Sequence, residues 1–141
     1  MKMKEYILLL VILLTFGLGA CEEKDPVTAT DLAGSWFVNE VGGNYDGYYY
    51  EVKITVDPEN SSRIFVSNFL NTANDPESTV LNYMLVARVE GNRLVVDPQQ
   101  VDVVEIMNST GYVNDKNQFR LDYRYALDNN SYLATAYFIR N

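Results

Sequence analysis

The chain contains no histidine and a single cysteine, Cys21. The first absence excludes Ser-His-Asp and Cys-His nucleophilic sites within this chain. It also removes ordinary zinc centres built from His and Cys. A lone cysteine has no partner for an intrachain disulfide. Basic residues are few: 11 Lys and Arg stand against 19 Asp and Glu, a net charge of −8. Phosphate backbones are gripped by Lys and Arg clusters, so nucleic acid is not an expected partner. The one long apolar run, Tyr6 to Gly19, is shorter than the ~20 residues that a membrane-spanning helix needs. Any acid–base chemistry would fall to carboxylates, Tyr, Lys or Ser. The acids fall mostly on solvent-side strand positions or in turns, which does not suit the paired carboxylates of a glycosidase. No catalytic residue is therefore assigned, and no cofactor or metal is expected. Asp57-Pro58-Glu59-Asn60 and Asn114-Asp115-Lys116-Asn117 offer oxygen ligands, but neither fits a calcium loop and both read as turns.

The apolar run has the form of a secretory leader. Lys2 and Lys4 make a positive start, Leu and Ile dominate the middle, and small residues precede the cysteine. Leu18-Gly19-Ala20-Cys21 resembles the bacterial lipobox. The resemblance implies a diacylglycerol on the Cys21 thiol, cleavage before Cys21 and an anchored mature chain. Each buried lipid CH₂ contributes roughly 0.8 kcal/mol, so two or three chains hold a protein firmly on a bilayer. The expected organisation is a signal peptide over 1–20, an acylated N-terminus and flexible tether over 21–33, and one domain over 34–141. Without the leader the chain carries nine basic and eighteen acidic residues, a net charge of −9. Glu22-Glu23-Lys24-Asp25 resembles the export signal of Bacteroidota surface lipoproteins, although those prefer Lys before the acids. That leaves two locations for an outer-membrane lipoprotein, the cell surface and the periplasmic face.

From residue 34 onward the pattern is β. Asp31 is placed to cap a short helical turn before Gly34. A first strand runs from Gly34 to Val41. Tyr48 to Val56 alternates with period two, the mark of a half-buried antiparallel strand. Further strands are expected over 63–70, 80–89, 93–96, 101–107, 119–127 and 132–140, with a short piece at 112–113. Glu90-Gly91-Asn92 is the clearest hairpin turn, and Asn108-Ser109-Thr110-Gly111 reads as another turn. Strands at this spacing predict an all-β, antiparallel barrel of about eight strands or a sandwich. The last strand is apolar on both faces, as expected if it pairs with the first and leaves no bare edge.

Gly34-Ser35-Trp36 resembles the Gly-x-Trp of lipocalin-like barrels, whose tryptophan packs across the closed end. Taken with Phe69-Leu70-Asn71-Thr72-Ala73-Asn74, Gly111-Tyr112-Val113 and Phe119 to Tyr125, the chain resembles a Bacteroidota family of small lipocalin-like lipoproteins described as lipid-binding hydrolases. The family's closing strand carries Gly-x-Arg and Thr-Gly, whereas this chain ends Thr135-Ala136-Tyr137-Phe138-Ile139-Arg140-Asn141. No catalytic residues carry over from that resemblance.

Tyrosine is the enriched type, with eleven in all. Tyrosine favours strands and packs well there, but it also lines ligand sites, with an apolar ring and a hydroxyl that orients. Three functions are open. A lipocalin-like module for a small apolar or amphipathic ligand would use a cavity lined by Trp36, Tyr50, Tyr83, Leu85, Tyr123 and Tyr125. A surface glycan-binding or accessory lipoprotein of a nutrient-uptake system would expose Tyr45, Tyr48 and Tyr49. An interaction module would have a filled core and work on an envelope partner through an outer patch.

Overall fold

A computed structural model describes residues 25–141; the lipobox and its leader lie outside the described residues. Ten strands run in order: β1 (Gly34–Val41), β2 (Tyr49–Asp57), β3 (Asn60–Val66), β4 (Leu85–Glu90), β5 (Arg93–Val96), β6 (Gln99–Val101), β7 (Val104–Ile106), β8 (Ser109–Asp115), β9 (Gln118–Leu127) and β10 (Asn130–Arg140). Every pairing is antiparallel. Eight strands close on themselves in the circle β1-β2-β3-β4-β5-β8-β9-β10, because β10 pairs with both β9 and β1. The all-β antiparallel barrel is therefore as expected. Closure removes the edges that an open sheet would leave unpaired.

The β6–β7 hairpin stands beside this circle. β7 extends the line of β8 along the far half of β9, with Ile106 opposite Tyr125. The sequence pattern predicts one strand over 101–107, yet Asp102 takes a left-handed φ of 52° and turns the chain there, as Asp tolerates. Its N–H donates to the Asn82 carbonyl at 2.8 Å. The predicted turn at 108–111 is instead the start of β8. Its small residues fit a crowded wall: a Cβ on Gly111 would lie 2.9 Å from the Arg120 carbonyl.

Two other expectations shift for a common reason. β3 ends at Val66 rather than Leu70, because Asn68 is left-handed (φ 57°) and Phe69–Asn71 forms a 3₁₀ turn. β4 then has no partner before Leu85, which sits opposite Val66. Residues Leu81–Tyr83 consequently form a second 3₁₀ turn. Ser67 and Asn68 anchor this long crossing. The Ser67 hydroxyl donates to Lys53 O, and Asn68 Nδ2 donates to Glu51 O at 2.9 Å.

One end of the barrel is sealed by α1 (Ala29–Leu32). Thr28, not Asp31, is its N-cap; Asp31 returns the bond from the third position and completes a capping box. Ala29 and Leu32 are buried, so the ordered unit begins inside the expected 21–33 tether. Trp36, fully buried, donates from Nε1 to the Leu32 carbonyl at 2.8 Å. Its ring meets Phe119 edge-on at 4.9 Å, and Phe119 stacks on Phe138 at 4.2 Å. Arg140 lies over the indole at 4.3 Å. Its guanidinium donates to the carbonyls of Ala33 (3.0 Å), Lys116 (2.7 Å) and Asp31. A planar cation on three carbonyls and a ring ties α1, the β8–β9 turn and β10 together.

Arg140→Lys keeps the charge but not the fork. It is expected to lower stability by about 2–3 kcal/mol, measured by urea unfolding with fluorescence of Trp36, the sole tryptophan. A loss below about 0.5 kcal/mol would mean that this end is held by the helix and rings alone.

Candidate functional site

Period-two alternation along β1 sends Trp36, Val38 and Glu40 inward. Glu40 is thus a carboxyl placed in the lumen, with no exposed surface. Two tyrosine hydroxyls, one from the neighbouring β2 and one from β9, donate to it: Tyr50 to Oε1 at 2.7 Å and Tyr123 to Oε2 at 2.8 Å. The Tyr50 hydroxyl in turn accepts from the Leu70 N–H at 3.0 Å. Leu70 is held left-handed at φ 57°, a conformation that costs a non-glycine residue roughly 1–2 kcal/mol. Every buried side-chain polar atom among the described residues has a hydrogen-bond partner.

Burial controls the electrostatics here. Desolvation raises the Glu40 pKa from 4.5 to about 7, against the opposing pull of the two hydroxyls. The same burial, reinforced by the neighbouring carboxyl, pushes the Tyr50 and Tyr123 phenols above their ordinary range. Both tyrosines therefore remain neutral donors at physiological pH.

Of the six cavity candidates, Trp36, Tyr50, Leu85, Tyr123 and Tyr125 are buried in the barrel interior. Tyr83 is not among them; it is half-buried in the 3₁₀ turn before β4. Three of the five, Trp36, Tyr123 and Tyr125, meet other rings in the interior. Phe69 packs on Tyr123 at 5.5 Å, Tyr123 on Tyr125 at 5.6 Å, and Tyr125 on Tyr132 at 5.2 Å. The Tyr125 hydroxyl accepts from the Asn44 N–H at 2.6 Å and so latches the 42–48 loop over the mouth. Gly43 is required under this latch, since it has φ +68° and a Cβ would lie 2.5 Å from the Tyr125 oxygen. Glu40 itself was missed by reading β1 only as a strand. The alternation that places Trp36 and Val38 inside was the signal that could have found it.

The outer wall differs. A cleft of 710 Å³ opens across β8, β9 and β10, bordered by Thr110, Tyr112, Asp122, Arg124, Leu133 and Thr135. Beside it, strand register aligns one exposed residue from each of six strands: Arg93, Tyr112, Arg120, Tyr137, Asn39 and Tyr49. The three tyrosines are two strands apart, about 10 Å. Phe37 stacks on Tyr49 at 5.3 Å and fixes its ring, while Arg120 lies over Tyr112 at 5.4 Å. Of the loop tyrosines, Tyr48 and Tyr49 are exposed, and Tyr45 is partly buried against Tyr125 at 5.7 Å.

The two oxygen-rich segments are turns. Asp57 accepts from the Glu59 N–H and pairs with Arg63, and Asp115 accepts from the Asn117 N–H. Among the described residues, no group of three or more His, Cys, Asp or Glu is placed to hold a metal.

No protein-family model matches the chain, and no curated protein matches it in sequence. Among solved structures it is similar to a redesigned β-barrel, at 12% identity and a TM-score of 0.49, over 80% of this chain and 94% of that one. It is also similar to a protein of unknown function of the DUF3598 family from Nostoc punctiforme, at 16% identity and a TM-score of 0.44. That match covers 88% of this chain and 53% of the other, so this chain spans about half that protein's length. The barrel assignment rests on the strand pairing described above.

Glu40 should imprint a pH dependence on stability. Below pH 4.5 the carboxyl is protonated whether the chain is folded or not. Between 4.5 and about 7 the unfolded chain has lost the proton while the folded chain keeps it. Stability therefore falls as pH rises through this window, by about 3 kcal/mol from this group. Glu40→Gln should flatten that slope in urea titrations. Parallel slopes in the two proteins would show that another group is responsible.

Proposed function

We propose that this chain is an envelope lipoprotein, anchored at the outer membrane through lipid on Cys21, whose barrel is a non-catalytic binding module that engages its partner on the outside of the wall. The packed lumen is the observation behind this. A small apolar ligand inside would have to displace Tyr50 and Tyr123 from Glu40. That would leave a buried carboxyl short of partners, a change that costs several kcal/mol. The outer wall, by contrast, presents exposed tyrosines and arginines, the side chains that dominate binding surfaces. Among the described residues, the side chains bonded to the Glu40 carboxyl are tyrosines and not a second acid, which does not favour hydrolysis by paired carboxylates.

Anchoring rests on the lipobox and on the resemblance to lipocalin-like lipoproteins of the Bacteroidota. Val27, whose N–H donates to the Asn92 side chain at 3.3 Å beside the β4–β5 turn, enters the barrel at its sealed end. A tether from Cys21 would therefore attach there, away from the Tyr48–Tyr49 mouth.

Two measurements bear on the proposal. Cys21→Ala should abolish incorporation of labelled palmitate; labelling that persists in the variant would contradict lipidation at Cys21. A panel of saturated and unsaturated fatty acids should leave the melting temperature unchanged. A saturable rise of several degrees would restore the lumen as the binding site.

A further inference from the structure

We infer that the row Arg93–Tyr112–Arg120–Tyr137–Asn39–Tyr49, with the adjoining cleft, is a binding track for an extended acidic polysaccharide of the β-linked uronate class. This rests on the outer-wall binding role proposed above and names its ligand chemistry.

Three observations carry it. The first is the alternation. Tyrosines on β8, β10 and β2 are separated by planar hydrogen-bonding groups on β5, β9 and β1. Rings about 10 Å apart match alternate sugars of an extended, two-fold β-linked chain, each offering a flat C–H face to a phenol. The arginines and Asn39 between them meet the hydroxyls and carboxylates of the intervening sugars.

The second is charge. In a chain of net charge −8, five of the cations among the described residues are paired with acids: Lys53, Arg63, Arg88, Lys116 and Arg120. Arg140 is spent on carbonyls. Arg93 and Arg124 have neither kind of partner. One ends the track and the other borders the 710 Å³ cleft. A guanidinium is a rigid fork suited to a carboxylate; Glu90 stands opposite Arg93 in the strand register but bonds to Arg88, which leaves the Arg93 fork open to an anionic ligand.

The third is shape. Closure leaves the eight barrel strands without a free edge to which an extended peptide could add; among the described residues only the three-residue β6 pairs on one side. A thin chain laid across the strands fits the one-residue-wide track. Asp122, which accepts from the Thr135 hydroxyl at 2.8 Å and pairs with Arg120 at 3.5 Å, lies beside the track as an acceptor for sugar hydroxyls.

The test is calorimetric titration of the detergent-solubilised full chain with β-1,4-linked hexamannuronate. Mannohexaose, of the same linkage without carboxylates, and a polyglutamate peptide are the comparison ligands. The hexauronate should bind about tenfold more tightly than either and should weaken as salt rises. Tyr112→Ala, Tyr137→Ala and Arg124→Gln should each weaken it about tenfold without changing the melting temperature, since all three sites are exposed. Equal binding of polyglutamate, or indifference to the tyrosine substitutions, would overturn the track. Failure of every sugar while the fatty acids remain inert would overturn this inference and leave the outer-wall role standing. A fatty-acid shift would overturn both.

Discussion

The interior of this barrel is arranged around one carboxyl. Glu40 points into the lumen because β1 alternates, and once there it has to be satisfied without water. Tyr50 on β2 and Tyr123 on β9 supply the two donors. Those strands lie on either side of β1 in the circle of the barrel, so the triad braces the wall across its width. Tyr50 also accepts from the Leu70 backbone, which draws the left-handed 67–73 crossing down onto the barrel. Phe69, brought along with it, caps Tyr123. A polar centre of this kind specifies one packing of the surrounding rings, because any other would leave a buried group unpaired.

The two ends solve separate problems. At the sealed end, Arg140 offsets the exposed carbonyls of the α1 terminus and the β8–β9 turn while its face covers Trp36. At the other end, the Tyr125 hydroxyl holds Asn44, and the β6–β7 hairpin leans on the Leu81–Tyr83 turn. Recognition on the outside, as proposed, would use the exposed face of the wall. Exposed Tyr112, Tyr137, Leu133, Ile139 and Val41 lie together on the β8, β9, β10 and β1 wall. A last strand apolar on both faces thus has two explanations: Phe138 and Ala136 belong to the core, and Tyr137 and Ile139 to the outer wall.

Much of the fold was legible in the sequence. Clean alternation gave β1, β2, β9 and β10 nearly to the residue, and closure between the first and last strands followed from the doubly apolar C-terminal strand. What misled were positions where local chemistry overrides periodicity. Asp102 breaks an apolar run by going left-handed, and Asn68 ends β3 early and deprives residues 80–84 of a partner. Ser109 and Gly111 look like a turn but are a strand in a place too tight for larger side chains. The site was less legible. Five of the six cavity candidates do lie inside the barrel, and three of them, Trp36, Tyr123 and Tyr125, meet other rings there. The carboxyl at the centre was overlooked because an acid in a strand ordinarily faces water. The outer track depends on register across six strands, which no local pattern encodes.

The filled lumen is tested most directly by the ionisation of Glu40 itself. A ¹³C NMR titration of its side-chain carboxyl in the folded protein should give a midpoint near 7, the consequence of a dry environment shared only with Tyr50 and Tyr123. A midpoint near the ordinary 4.5 would mean that water reaches the carboxyl. The barrel would then be an open cavity, and the outer wall would lose its claim as the binding surface.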